Sequence, residues 1–126
     1  MARKLIIILA NVDPTDGEAL SAPIFQATVA AAMSHQVEVV CTGRSAKILC
    51  KGSSVEIELK PGGGKRSIHD FIREARAAGA KFYCLAPDLD ICNMHKDDLI
   101  SECCGVLGAA HLIEEIMSND SKVLTY

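Results

Sequence analysis

The apolar positions of this chain fall into short continuous runs separated by longer segments with helical spacing. Residues 5–10, Leu5-Ile6-Ile7-Ile8-Leu9-Ala10, are apolar throughout and predict a buried strand. The polar turn Asn11-Val12-Asp13-Pro14-Thr15-Asp16-Gly17 introduces an Ala-rich helix that runs to about Ser34. Ser21 is its expected cap, which sets Pro23 in the first turn, where a missing N–H costs little. A start near Gly17 instead puts Pro23 in the interior, where it kinks the helix. Ile24, Phe25, Thr28, Val29, Ala32 and Met33 share one helical face and are expected to turn inward.

Residues 36–42 predict a second strand, ended by Gly43, and residues 45–50 suit a short helix. Residues 55–59 alternate with period two, as in an edge strand or an extended loop. Residues 60–65, Lys60-Pro61-Gly62-Gly63-Gly64-Lys65, read as a loop. Ser67 then caps a helix to about Ala78 with Ile68, Phe71, Ile72 and Ala75 inward. Residues 79–86 open from a Gly-Ala turn and stop at Pro87, as a buried parallel strand does. An irregular stretch to Cys104 follows. The last helix is expected from about Gly105 to Ser118, burying Val106, Ala109, Ala110, Ile113 and Met117, with residues 123–126 as a closing strand. Strands alternating with helices of this length form right-handed βαβ units. The chain therefore reads as one α/β domain over residues 1–126, with a mostly parallel sheet and helices on both faces.

Composition and charge exclude several classes. Hydrophobic residues make up 49% and charged residues 23% of the 126 positions, a globular balance. The net charge is −3 and no basic run occurs, so the electrostatic term that dominates nucleic-acid affinity is missing. The apolar stretch after Arg3 and Lys4 is too short for a signal peptide or a membrane span. Six cysteines without a secretion signal point to reduced thiols in the cytoplasm.

Chemistry gathers at the carboxyl edge of such a sheet, and Cys84 falls there, at the end of its strand and ahead of a helix start at Pro87. Position alone leaves two readings open, a reactive rim thiol and a core thiol. Cys92 lies eight residues on, and is either a relay thiol on the same rim or an apolar filler beside Ile91. Cys41 ends the second strand, and Cys50 looks like core. Cys103 and Cys104 precede the helix expected at Gly105, whose dipole favours a thiolate. A metal site drawn from Cys84, Cys92, His95, Cys103 and Cys104 is the competitor, yet Cys92-Asn93-Met94-His95 is its one compact pair and no Cys-x-x-Cys accompanies it. His35, His69 and His111 read as surface or satisfied polar residues. The glycine loop is no Walker A motif, because Leu59 and Arg66 stand where Gly and Ser or Thr are required. Asp13, Asp16 and Glu18 after the first strand repel a flavin phosphate. No cofactor and no metal are expected.

Taken together, the segments resemble the DsrE/DsrF-like family of small sulfur-handling proteins. The likeness is carried by Asn11-Val12-Asp13-Pro14 after the first strand, by residues 22–32 and 37–43, by Ala78-Gly79-Ala80-Lys81-Phe82-Tyr83-Cys84, and by the tail from Asp98 through residues 105–110 to Val123-Leu124-Thr125-Tyr126. The resemblance implies a five-stranded, flavodoxin-like subunit assembled as a trimer or hexamer, and a persulfide carried on Cys84. Partners implied in the same way are a TusA-like sulfur carrier and a rhodanese-type donor. Leu85-Ala86-Pro87 follow Cys84 here, where family members often have Ser or Thr.

Overall fold

The computed structural model describes residues 3–58 and 61–126. The isoleucine-rich opening forms β1 (Lys4–Leu9), followed by α1 (Gly17–Ala32) and β2 (Gln36–Cys41). A 3-10 helix spans Gly43–Leu49, and β3 (Glu56–Glu58) and β4 (Lys65–Ser67) pair as a small antiparallel hairpin apart from the main sheet. Then come α2 (Ile68–Ala78), β5 (Lys81–Leu85), the short α3 (Ala86–Ile91) and a 3-10 turn at Lys96–Asp98. β6 (Cys103–Leu107), α4 (Ala109–Ile116) and β7 (Ser121–Thr125) complete the chain. Leu59 and Lys60, the end of the expected alternating segment and the start of the glycine loop, lie outside the described residues.

The main sheet has five parallel strands in the order β6-β5-β2-β1-β7. This is the five-stranded, flavodoxin-like α/β arrangement, with helices on both faces. Its helices are unequally divided. Going from β1 to β2, β5 and β6 the chain steps in one direction across the sheet, so crossovers of one hand keep α1, α2 and α3 on one face. The return from β6 to β7 puts α4 on the other. Two apolar clusters record this division. The larger joins Ile7, Leu9, Val39 and Phe82 to Leu20, Ile24, Ile68 and Ile72, whereas the smaller joins Ile6 and Val40 to Leu112 of α4.

Several local expectations are corrected. Asp16, not Ser21, caps α1, its carboxylate accepting from the Ala19 N–H at 3.0 Å. Ser21 instead donates to the Glu18 carbonyl, and Pro23 sits buried inside the helix. The inward face of α1 is Leu20, Ile24, Ala27 and Ala31, while Phe25, Val29 and Met33 are exposed, Phe25 by 64%. Small alanines let α1 approach its neighbours closely, and the bulkier stripe one position away is left outside. The last helix begins four residues later than expected, because Cys103–Leu107 is a strand. Val106 therefore lies in β6; Ala109, Ala110, Ile113 and Met117 are exposed; and α4 turns Leu112 inward.

Candidate functional site

Leu85 and Leu107 end neighbouring strands, but the chain leaves β5 toward α3 on one face and β6 toward α4 on the other. Adjacent strands whose exits diverge open a crevice at their carboxyl ends, the usual place for a site in an open α/β sheet. Cys41, Cys84 and Cys92 gather on the α3 side of this edge, and Cys103, at the amino end of β6, packs into the same apolar cluster. Cys41 and Cys84 are register partners on β2 and β5, and Cys103 pairs with Phe82 at an irregularity in the β5–β6 ladder. Cys92 is the C-cap of α3 and packs against the same apolar cluster.

Cys84 is fully enclosed, with 0% of its surface exposed, so of the two positions open to it the thiol takes the core one. Its Sγ donates to the Leu85 carbonyl at 3.5 Å. Burial pushes the thiol up to about 12, with further lift from the charges of Cys103, Asp88 and Cys92. The helix start beyond it does not overcome that burial. Cys41 is likewise sealed, and burial raises it well above the ordinary range.

Cys92 differs. It is half-buried and lines a cleft of about 550 Å³ with Pro14, Thr15, Lys47, Cys50 and Asn93. Its Sγ donates to the Gly43 carbonyl at 3.3 Å. Gly43 has φ +58°, a left-handed turn that a side chain would strain, and this turn brings the chain from β2 into the 3-10 helix. That helix is pinned to the end of β1 by Ser45, whose hydroxyl lies 2.6 Å from the Leu9 carbonyl. Burial raises the Cys92 thiol, the Lys47 ammonium lowers it, and Asp88 raises it.

The remaining candidates scatter. Cys50, expected in the core, is half-buried on the wall of the cleft and bridges to Leu99. Cys103 and Cys104 lie in β6, not before a helix, so no helix dipole acts on them as expected. Cys104 is exposed; Cys103 is raised by burial, which backbone hydrogen bonds at Gly105 and Cys84 oppose. His95 is exposed, and its backbone N–H donates to Asp98 at 2.8 Å. Among the described residues no three His, Cys, Asp or Glu side chains converge closely enough to hold a metal ion. No helix among them is long and apolar enough to cross a membrane.

Sequence reasoning missed two features. Lys47, on the 3-10 helix, lines the cleft. Across the sheet, under α4, Lys4 pairs with Glu38 at 3.0 Å and Glu115 at 2.9 Å, and His111 pairs with Glu115. The hydrogen bond to Glu115 raises Lys4, and burial raises Glu38. A glutamate inside an apolar strand, Glu38 between Val37 and Val39, was the available signal.

These features define a small parallel α/β protein with a cysteine-lined carboxyl edge, and two solved structures share the fold. One is the YchN protein of E. coli, at 20% identity with a TM-score of 0.75, each chain covered over 100% of its length. The other is MTH1491 from Methanobacterium thermoautotrophicum, described as a protein of unknown function, at 17% identity and a TM-score of 0.73, also over 100% of both chains. No protein-family model and no curated protein matches the sequence.

Proposed function

We propose that this protein transfers sulfane sulfur, taking it in at Cys92 and holding it as a persulfide on Cys84 for exchange with a carrier protein. The observation that carries this reading is the pairing of an enclosed thiol with a half-open one. Cys84 is sealed within a group of cysteines, and Cys92, adjacent to it electrostatically, opens onto a cleft beside Lys47. A thiol held near 12 is almost wholly protonated at neutral pH and makes a poor first nucleophile. Cys92, with an ammonium at hand, is the better point of entry. Enclosure suits storage, since a persulfide shielded from water and small thiols is not stripped of its outer sulfur.

The DsrE/DsrF-like resemblance supports the same chemistry, with a TusA-like carrier and a rhodanese-type donor as the partners to test. Assembly as a trimer or hexamer would cover two exposed apolar patches: Phe25, Val29 and Met33 on α1, and Ile113, Met117, Val123 and Leu124 around α4 and β7.

The test is the sulfur adduct after exposure to inorganic polysulfide, read by mass spectrometry. Wild type should gain sulfur on both Cys92 and Cys84, Cys84→Ser should still carry it on Cys92, and Cys92→Ser should load Cys84 slowly. Absence of any adduct on wild type would leave a non-catalytic assembly module as the better description.

A further inference from the structure

Asp88 is the one buried carboxylate among the described residues, it acts on both thiols of the pair, and the transfer chemistry above does not use it. It is 5% exposed, and among the described residues its Oδ2 is the buried side-chain oxygen or nitrogen that finds no hydrogen-bond partner. An orphaned buried acceptor is costly and calls for a reason. Its position supplies one. Asp88 and Cys92 stand four residues apart on α3, joined by the Cys92 N–H donating to the Asp88 carbonyl at 3.0 Å, so their side chains share the inward face. Asp88 also lies one turn beyond the end of β5, which holds Cys84.

We infer that Asp88 Oδ2 is the proton acceptor for passage of sulfur from Cys92 to Cys84. This rests on the relay just proposed. Cys84 starts as a neutral thiol and Cys92 as a persulfide. The Cys84 S–H proton moves to Asp88 Oδ2 as Cys84 Sγ attacks the outer sulfur. A new sulfur–sulfur bond forms on Cys84, and the bond between Cys92 Sγ and that sulfur breaks, leaving its electron pair on Cys92 Sγ. Asp88 then returns the proton to Cys92. Cys84 Sγ is oxidised to the level of a persulfide sulfur as Cys92 Sγ is reduced to a thiol, so the exchange balances within the pair and no co-reactant is needed. In the resting arrangement each thiol donates to a backbone carbonyl, Leu85 or Gly43, so rotation of the Cys84 side chain starts the step.

The charge of Asp88 has an opposite effect on the two stages, which makes the inference testable. Its negative charge raises both thiols, so removing it should make Cys92 more reactive. Loss of the acceptor should make the onward transfer slower. The experiment exposes Asp88→Asn to inorganic polysulfide and maps sulfur on each cysteine peptide over time, with iodoacetamide labelling of Cys92 alongside. The expected result is labelling and loading of Cys92 at or above the wild-type rate, with filling of Cys84 slowed about a hundredfold. Asp88→Glu, which keeps an acceptor, should recover part of that rate, and it decides the matter if the Asn variant is poorly folded. Wild-type filling of Cys84 in Asp88→Asn overturns the role of Asp88 while leaving the relay intact. Wild-type filling of Cys84 in Cys92→Ser, with Asp88 present, overturns the relay and the inference with it.

Discussion

Enclosure of Cys84 makes a quantitative forecast for its reactivity toward an alkylating agent. A thiol near 12, against an ordinary 9.0, has about a thousandfold less thiolate at neutral pH. A more basic thiolate is also the better nucleophile, and over this interval that restores about twentyfold. The net electronic deficit is about fiftyfold, before the steric effect of a side chain with 0% exposure is added. The assay is iodoacetamide labelling of the sulfur-free protein, quenched over time and mapped by peptide mass spectrometry. Cys104, exposed on β6, should label first and Cys92 after it, while Cys84 and Cys41 should lag by about fiftyfold or more. The pH profile adds a second check. The rate at Cys84 should climb with pH toward about 12 without levelling, provided the fold persists. Because the folded value lies above the unfolded one, this thiol favours folding below about 9 and loses that contribution as pH rises toward 12. Labelling of Cys84 at the rate of Cys104 would refute the enclosure.

The other forecasts are simpler. Ile24→Ala should cost about 2–5 kcal/mol in urea unfolding, since its side chain is fully buried under α1; an unchanged unfolding midpoint would contradict the face assigned to α1. Lys4→Ala should cost about 2 kcal/mol at neutral pH by leaving Glu38 and Glu115 to face each other without a cation, and an unchanged unfolding midpoint would count against the network. Light scattering at micromolar concentration should return a trimer or hexamer, and a monomer would leave the apolar patches on α1 and α4 unexplained.

What the sequence disclosed follows from how each segment earns its structure. β1 has buried residues on both faces, and burial demands the unbroken apolar run by which it is recognised, while β2 and β5 carry the shorter runs Val39-Val40-Cys41 and Phe82-Tyr83-Cys84-Leu85. β6 is an edge strand, half-exposed, with Gly105 at φ +154° beside an irregular register. Its Cys-Cys-Gly-Val-Leu sequence has neither alternation nor a long apolar run, so it merged into the helix that follows. Hydrophobicity alone does not separate the two stripes of α1, because Ala27 and Ala31 are inward for being small. At the site, the strand end holding Cys84 was visible in the sequence. Its enclosure was not, because it depends on α3 folding back with Leu89 and Cys92 against the core, and on Cys103 arriving from β6. The orphaned oxygen of Asp88 depends on the same packing.

The order in which the two cysteines receive sulfur separates an entry thiol from a storage thiol most directly. Wild-type protein is mixed rapidly with inorganic polysulfide, quenched at intervals with an alkylating agent, and digested for site-resolved mass spectrometry. The sulfane sulfur should appear on Cys92 first and pass to Cys84 with a lag, Cys92 falling as Cys84 rises. Sulfur appearing on Cys84 without a lag, or accumulating on Cys103 or Cys104 while Cys84 stays bare, would contradict it.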